Sequence, residues 1–348
     1  MRCLTLADAL RERGAQCIFV CRRHSGHLLD LISQRGHQIL VLPMLQGRGG
    51  SVWNGGAYSE WLGTDWASDA LDTQKVLTDH MGNEVLDWLV VDHYSLDSRW
   101  ELALRSKFRH IMVIDDLADR PHDCELLLDQ TYGRDTTDYL KYVPTNCRIL
   151  CGSQYALLRP EFALLRPYSL QRRSQPILHK LLISMGGVDK DNATGTILKA
   201  LRSSLLPFDC RITVVMGTTA PWLDEVRKEV QDMPWATQVL VGVSDIAHLM
   251  ADSDLSIGAA GATSWERCCL GLPSIVVQIA KNQDVILSHL IQAGAAMELV
   301  LSKQTIESEL YYLIEKMKEP TTLAKISQMA SAITDGIGVQ RIMNNLNG

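Results

Sequence analysis

The sequence of 348 residues holds no apolar run near the roughly 18 residues that a membrane-crossing helix needs, and its mean hydropathy is −0.01. A spanning helix is excluded. Basic charge is not in excess either: 34 Lys and Arg stand against 40 Asp and Glu, a net charge of −6. Together with a pI of about 5.9, this speaks against a nucleic-acid-binding surface as the main business of the chain. The 9 cysteines show no C-x-x-C array and no His pair at zinc-finger spacing. An odd count set in apolar stretches such as Cys17-Ile18-Phe19-Val20 reads as buried, reduced thiols, not as a disulfide framework. The first residues lack the apolar core of a signal peptide, because charges cut through Met1 to Leu10, and a cytoplasmic location is expected. There is no internal repeat; Leu-Leu-Arg-Pro recurs at Leu157 and Leu164 but is too short to count.

What is present is ordinary for a globular protein, with 46% hydrophobic and 21% charged residues. The length predicts two domains at roughly 150 residues each. Short apolar runs alternate with amphipathic stretches. Runs at 16–21, 38–42, 88–91 and 111–114 read as buried parallel strands with helices between them. The rhythm resumes after Lys180, with strands at 181–184, 212–215, 238–241, 255–257 and 274–278. Residues 1–165 are expected to form one Rossmann-like domain, 166–176 a linker around Gln171-Arg172-Arg173, and 177–348 a second such domain, with the last helix packing back on the first. Residues 46–65, rich in glycine with Trp53 and Trp61, read as a mobile loop or lid, or as a plain surface excursion. One irregularity stands out. An α/β domain normally opens on a strand, and this chain opens on a helix.

Candidate chemistry gathers at strand ends, the edge where open α/β sheets bind ligands. Met185-Gly186-Gly187-Val188-Asp189 follows one strand, where glycines admit a ligand to the backbone and a helix start offers N–H groups to an anion. It is neither a G-x-G-x-x-G nor a P-loop motif, so a tight strand–helix turn remains the other reading. Gly258 to Ser264 is a second small-residue turn, with Glu266 about one turn into the next helix, suited to a ribose diol or simply solvated. Lys281-Asn282-Gln283 follows a third strand. In the first half, Asp92-His93-Tyr94 ends a strand, and His or Tyr could move a proton with Asp orienting either. Asp115-Asp116 reads as a helix cap, and the scattered His24, His27, His80, His110, His122 and His248 as surface or capping residues.

The order of these motifs carries a resemblance over essentially the whole chain. It runs from Arg2-Cys3-Leu4-Thr5-Leu6-Ala7 through Asp92-His93-Tyr94, Asp115-Asp116-Leu117 and Cys151-Gly152 with Tyr155 to Phe162. Met185-Gly186-Gly187 with Asp189 and Asn192, then Trp265-Glu266 and Asn282-Gln283, complete it. The chain resembles the UDP-sugar hydrolases of pseudaminic acid biosynthesis (PseG), relatives of the MurG-type glycosyltransferases. The resemblance implies a GT-B fold, two Rossmann-like domains facing across a cleft. It implies release of UDP from UDP-2,4-diacetamido-2,4,6-trideoxy-β-L-altrose by water attacking the anomeric carbon, with no metal and no cofactor. Tyr94 and Asn282 would act on the sugar, and Arg2, Arg159, Gly186, Gly187, Asn192, Ser264, Glu266 and Gln283 would bind the substrate. The UDP-sugar is the one expected partner, without nucleic acid or membrane, and the protein is expected to be a monomer. Members of that family open with a strand and a Gly-rich turn bearing a His, the general base, just ahead of the stretch matching Met1-Arg2-Cys3-Leu4. Met1 is therefore expected to be an internal methionine of a longer reading frame. A GT-B glycosyltransferase and a non-catalytic nucleotide-sugar binder stay open as alternatives; the first half shows no basic amphipathic patch that a membrane-facing transferase could use, and Arg22-Arg23 is too small.

Overall fold

The computed structural model describes residues 1–24, 26–43, 58, 61–302 and 304–346. The glycines and Trp53 of the expected lid at 46–57 lie outside the described residues; Trp61 and Gly63 lie within them. The chain divides into two compact units: Met1–Leu157 with Val339–Gly348, and Leu158–Gly338. The division falls ahead of the polar stretch at 166–176, whose first half is helical.

The first unit opens on α1 (Arg2–Glu12), which ends at Arg13 and Gly14, the glycine at φ 89°. Then come β1 (Ile18–Arg22), α2 (Leu29–Gln34), β2 (Gln38–Leu42), α3 (Trp66–Met81), β3 (Leu86–Val91), α4 (Ser98–Leu104), β4 (Phe108–Ile114), β5 (Leu126–Asp129) and β6 (Arg148–Cys151). All pairings are parallel, but the strands fall into separate sheets, β1-β2 and β3-β4-β5-β6. Val20 and Leu40 from the smaller sheet still pack on the core that holds Val91, Ile111, Val113 and Leu127. The strand register is specific where both faces are covered: β5 is buried at every position, so its apolar run cannot slip without exposing leucines.

The second unit runs α5 (Pro160–Arg172), β7 (Lys180–Ser184), α6 (Ala193–Leu201), β8 (Arg211–Met216), α7 (Leu223–Gln231), β9 (Ala236–Val241), α8 (Ile246–Asp252), β10 (Leu255–Ala259), α9 (Thr263–Cys269), β11 (Ser274–Val277), α10 (Asp284–Gln292), β12 (Met297–Leu299), α11 (Ile306–Met317) and α12 (Pro320–Ser331). Its 6-stranded parallel sheet has the order β12-β11-β10-β7-β8-β9. The chain moves outward from β7 in one direction and, from β10, in the other. The crevice beyond the ends of β7 and β10 is therefore the topological switch point of the sheet. The final helix α13 (Gly338–Leu346) joins the first unit, where Ile342 and Met343 pack with Leu6, Met112 and Leu128. GT-B-like architecture, with its two Rossmann-like units, is what these sheets form.

Candidate nucleotide-sugar site

In the second unit, β7 delivers the chain to Met185 and then to an exposed pair, Gly186 and Gly187. Gly186 sits at φ 90°, a conformation that favours glycine, and a Cβ at either position would meet nothing within 4 Å. Their lack of side chains is not needed for packing among the described residues. It leaves bare main chain open to approach. The start of α6 behaves differently from the anion-binding expectation. Asp189 accepts from the N–H groups of Ala193 and Thr194 at 2.8 and 2.9 Å, and Asn192 accepts from Gly195 N–H at 3.0 Å. Both capping residues hold positive φ, 45° and 55°. The N–H groups that a phosphate would use at this helix are already taken. Open backbone at this loop lies ahead of the helix, at the glycines and the residues just after them.

The neighbouring strand β10 ends in a turn of the opposite character. The N–H groups of Gly261, Ala262 and Thr263 find no acceptor among the described residues, and no side chain caps α9. Ser264 is buried; its main-chain N–H donates to Gly261, and its Oγ accepts from Arg267 at 2.9 Å. Ser264 therefore shapes the turn from inside. Gln283 stands beside the turn: its Nε2 lies 3.7 Å from where a Cβ of Gly261 would be, and its Oε1 accepts from Ile279 N–H at 2.9 Å. Asn282 is half-buried in a short turn of 3-10 helix before α10, without a side-chain hydrogen bond among the described residues.

Glu266 is half-buried, and its carboxylate forms no hydrogen bond among the described residues. Burial raises its pKa, outweighing the opposite pull of Arg159 and Arg267. Arg159, just before Pro160 at the start of α5, pairs with Glu161 at 3.0 Å, reaches the Ser244 carbonyl at 3.3 Å and lies over the Phe162 ring. The structure thus gathers Gly186, Gly187, Ser264, Glu266, Gln283 and Arg159 around the carboxyl edge of one sheet. Asn192 is there too, but as a helix cap.

The first unit places its candidates at the ends of β3 and β4. Arg2 makes a two-pronged pair with Asp92 at 3.0 and 2.7 Å and reaches Asp116 at 3.0 Å. Burial works against the Arg2 charge, but Asp92 and Asp116 outweigh it and raise the pKa above its ordinary value. Asp92 also accepts from the Cys3 thiol at 3.2 Å. Asp92 therefore faces α1. His93 Nδ1 accepts from Ser95 N–H at 3.1 Å, the ring also hydrogen-bonds to the Trp61 main chain, and burial lowers its pKa. The Nδ1 lone pair of His93 is thus occupied by Ser95. Tyr94 packs with Tyr58 and Trp61 at centroid distances of 5.0 and 5.6 Å.

Other readings need correction. Asp115 does not cap a helix: it is buried, accepts from Leu117 and Ala118 N–H groups, and pairs with Arg120 at 2.7 Å. His122 is not a surface residue but a buried partner of Glu101 at 2.7 Å. All cysteines are free thiols, and Cys124 and Cys147, far apart in sequence, lie 3.6 Å from one another. Among the described residues there is no cluster of three or more His, Cys, Asp or Glu that could hold a metal, and no helix long and apolar enough to cross a membrane.

The fold defines the broader class first. The chain aligns with MurG of Acinetobacter baumannii at a TM-score of 0.69 and 17% identity, covering 99% of this chain and 95% of that one. A UDP-N-acetylglucosamine 2-epimerase follows at a TM-score of 0.61 and 14% identity, covering 99% and 93%. Both show the GT-B-like fold and nothing finer. No known family profile matches. Among curated proteins the chain is similar to the spore coat polysaccharide biosynthesis protein SpsG of Bacillus subtilis, 27% identical over 203 residues, 58% of either chain. It is also similar to the UDP-2,4-diacetamido-2,4,6-trideoxy-β-L-altropyranose hydrolase of Campylobacter jejuni, 26% identical over 217 residues, 62% of this chain and 74% of that protein. The aligned part thus spans less than two thirds of the first relative's length. The resemblance read from the motifs is borne out, in sequence over 58–62% of the chain and not over the whole of it.

Proposed function

We propose that the protein acts on a UDP-sugar in surface-sugar biosynthesis, and that it hydrolyses UDP-2,4-diacetamido-2,4,6-trideoxy-L-altrose to UDP and the free sugar. The Campylobacter relative carries that name, and the motif order supports the same substrate. The observation that carries the reading is the switch point of the second unit. There, Gly186-Gly187 and the 261–263 turn leave main chain open on adjacent strands, with the Glu266 carboxylate at the same edge. Open main-chain N–H groups suit a diphosphate, and a carboxylate suits a ribose diol.

In the reaction, a water oxygen bonds to the anomeric carbon as the bond from that carbon to the β-phosphate oxygen breaks. The electron pair leaves with UDP, and the proton that the water loses passes to solvent. Tyr94 and Asn282 are assigned to the sugar, and Arg159 and Asn192 to the nucleotide sugar, on the resemblance. Arg2 is committed to Asp92 and Asp116, so its contribution is to hold the ends of β3 and β4 together around Tyr94.

Incubating the full chain with the UDP-diacetamido sugar and following products by NMR tests the reading. Release of UDP and free sugar in water alone supports hydrolysis. Release only with an added acceptor makes it a transferase, and calorimetric binding without turnover makes it a binder. Gly187→Ala sharpens the assignment. Since the added methyl meets no protein atom within 4 Å, unfolding stability should stay within about 0.5 kcal/mol while UDP affinity drops about tenfold or more. A stability loss matching the affinity loss would move Gly187 from ligand binding to folding.

A further inference from the structure

The 260–263 turn is closed from beneath by a residue that the reading above does not use. Arg267 is only 2% exposed, one turn into α9. Its Nη2 donates to the Ala259 carbonyl at 2.8 Å and to Ser264 Oγ at 2.9 Å. These acceptors stand at the two ends of the turn, so one guanidinium ties the last residue of β10 to the first turn of α9. Gly258 makes the room. A Cβ there would come within 2.3 Å of Arg267 Nη1 and 2.9 Å of the Ser184 carbonyl oxygen. Gly258 and Ser184 are register partners at the ends of β10 and β7, so the guanidinium lies at the junction of the two strands that carry the open backbone.

The charge of Arg267 is unusual in its company. Its hydrogen-bond acceptors are a carbonyl and a hydroxyl, both neutral, and Glu266 acts on it only through space. Burial lowers its pKa to about 10, which leaves it a cation at neutral pH. A desolvated cation without a paired carboxylate is costly to keep, and an anion arriving nearby offsets that cost. Glu266, its sequence neighbour, makes no ion pair with it among the described residues and feels Arg159 more strongly than Arg267.

We propose that Arg267 is a positioning residue for the diphosphate: it fixes the 260–263 turn so that the Gly261, Ala262 and Thr263 N–H groups stay open, and it places a buried positive charge under them. This inference rests on the UDP-sugar reading of the second unit. It separates two contributions. The hydrogen bonds set the shape of the turn, which serves any ligand held there; the charge serves only the phosphates.

Calorimetric titration of the full chain with UDP and with uridine, for the parent, Arg267→Met and Arg267→Lys, tests it. Arg267→Met should lose about 10- to 100-fold in UDP affinity, the range for a charge-assisted contact, while uridine affinity changes less than about threefold. Arg267→Lys should recover most of the UDP loss, because it restores the charge with fewer hydrogen bonds. Should Arg267→Met fail to fold, Arg267→Lys decides alone: UDP affinity within about tenfold of the parent with uridine unaffected supports the proposal. Equal losses for UDP and uridine would make Arg267 a purely structural residue and overturn it. A parent that binds UDP alongside an unchanged Arg267→Met variant overturns this inference alone. A parent that does not take UDP overturns the UDP-sugar reading and this inference with it.

Discussion

Glu266 carries a testable link between burial and the binding role proposed for it. Its carboxyl is raised by burial above the ordinary carboxylate value of about 4.3. A folded-state pKa above the unfolded one means that the protonated group stabilises the fold. That contribution is complete below about pH 4 and is lost as the pH rises through the raised value. Glu266→Gln should therefore match the parent in stability at low pH and equal or exceed it at neutral pH. Its UDP affinity should nevertheless fall about tenfold or more, if the ionised carboxylate binds the ribose. In the parent, UDP affinity should climb with pH through the same window. Thermal unfolding with and without UDP between pH 4 and 8 reads both effects; a variant that loses stability at neutral pH would contradict the assignment. Glu266 could be picked out from sequence because it follows a small-residue turn at a strand end. The pairing of Arg2 could not, since Asp92 and Asp116 meet it only through the tertiary fold.

Among elements, strands with long apolar runs were readable and short ones were not. β7 and β10 announce themselves as buried parallel strands, and β11, itself only four residues, lies within the readable apolar run 274–278. β5, β6 and β12 hold only three or four residues each, too few for periodicity to tell a strand from a loop. The glycine loop after β7 was legible as exposed main chain at a strand end, but not the double cap by Asp189 and Asn192, which depends on positive φ at both residues. Nor was the support from β8. A Cβ on Gly217, the residue after that strand, would fall 1.9 Å from the Gly187 carbonyl oxygen, a backbone atom that cannot swing aside. Gly217→Ala should destabilise the protein by about 1–3 kcal/mol or more and weaken UDP binding together. Gly187→Ala, by contrast, should weaken binding only. Denaturant titration of the two variants side by side makes the comparison, and a neutral Gly217→Ala would show that the strand does not brace the loop.

Across the whole molecule, the first unit draws its core from widely separated parts of the chain. Ile342 is fully buried, and with Met343 it packs against Leu6, Met112, Ile114 and Leu128. Ile342→Ala should cost about 2–5 kcal/mol, and the cost should be local. Hydrogen exchange should quicken at β4 and β5 amides while those of β7 and β10 keep their protection. Equal acceleration in both units would mean that they unfold as one.

The same arrangement sets an order of assembly. Residues 158–338 form a self-contained unit lodged between the segments that make up the other one. As the chain leaves the ribosome, the second unit has its full sequence while the first still lacks α13. Domains usually mature in the order they are made. Here the part translated first is the last to be finished, and until α13 arrives the apolar faces of Leu6, Met112 and Leu128 that it covers stay open to whatever else is near.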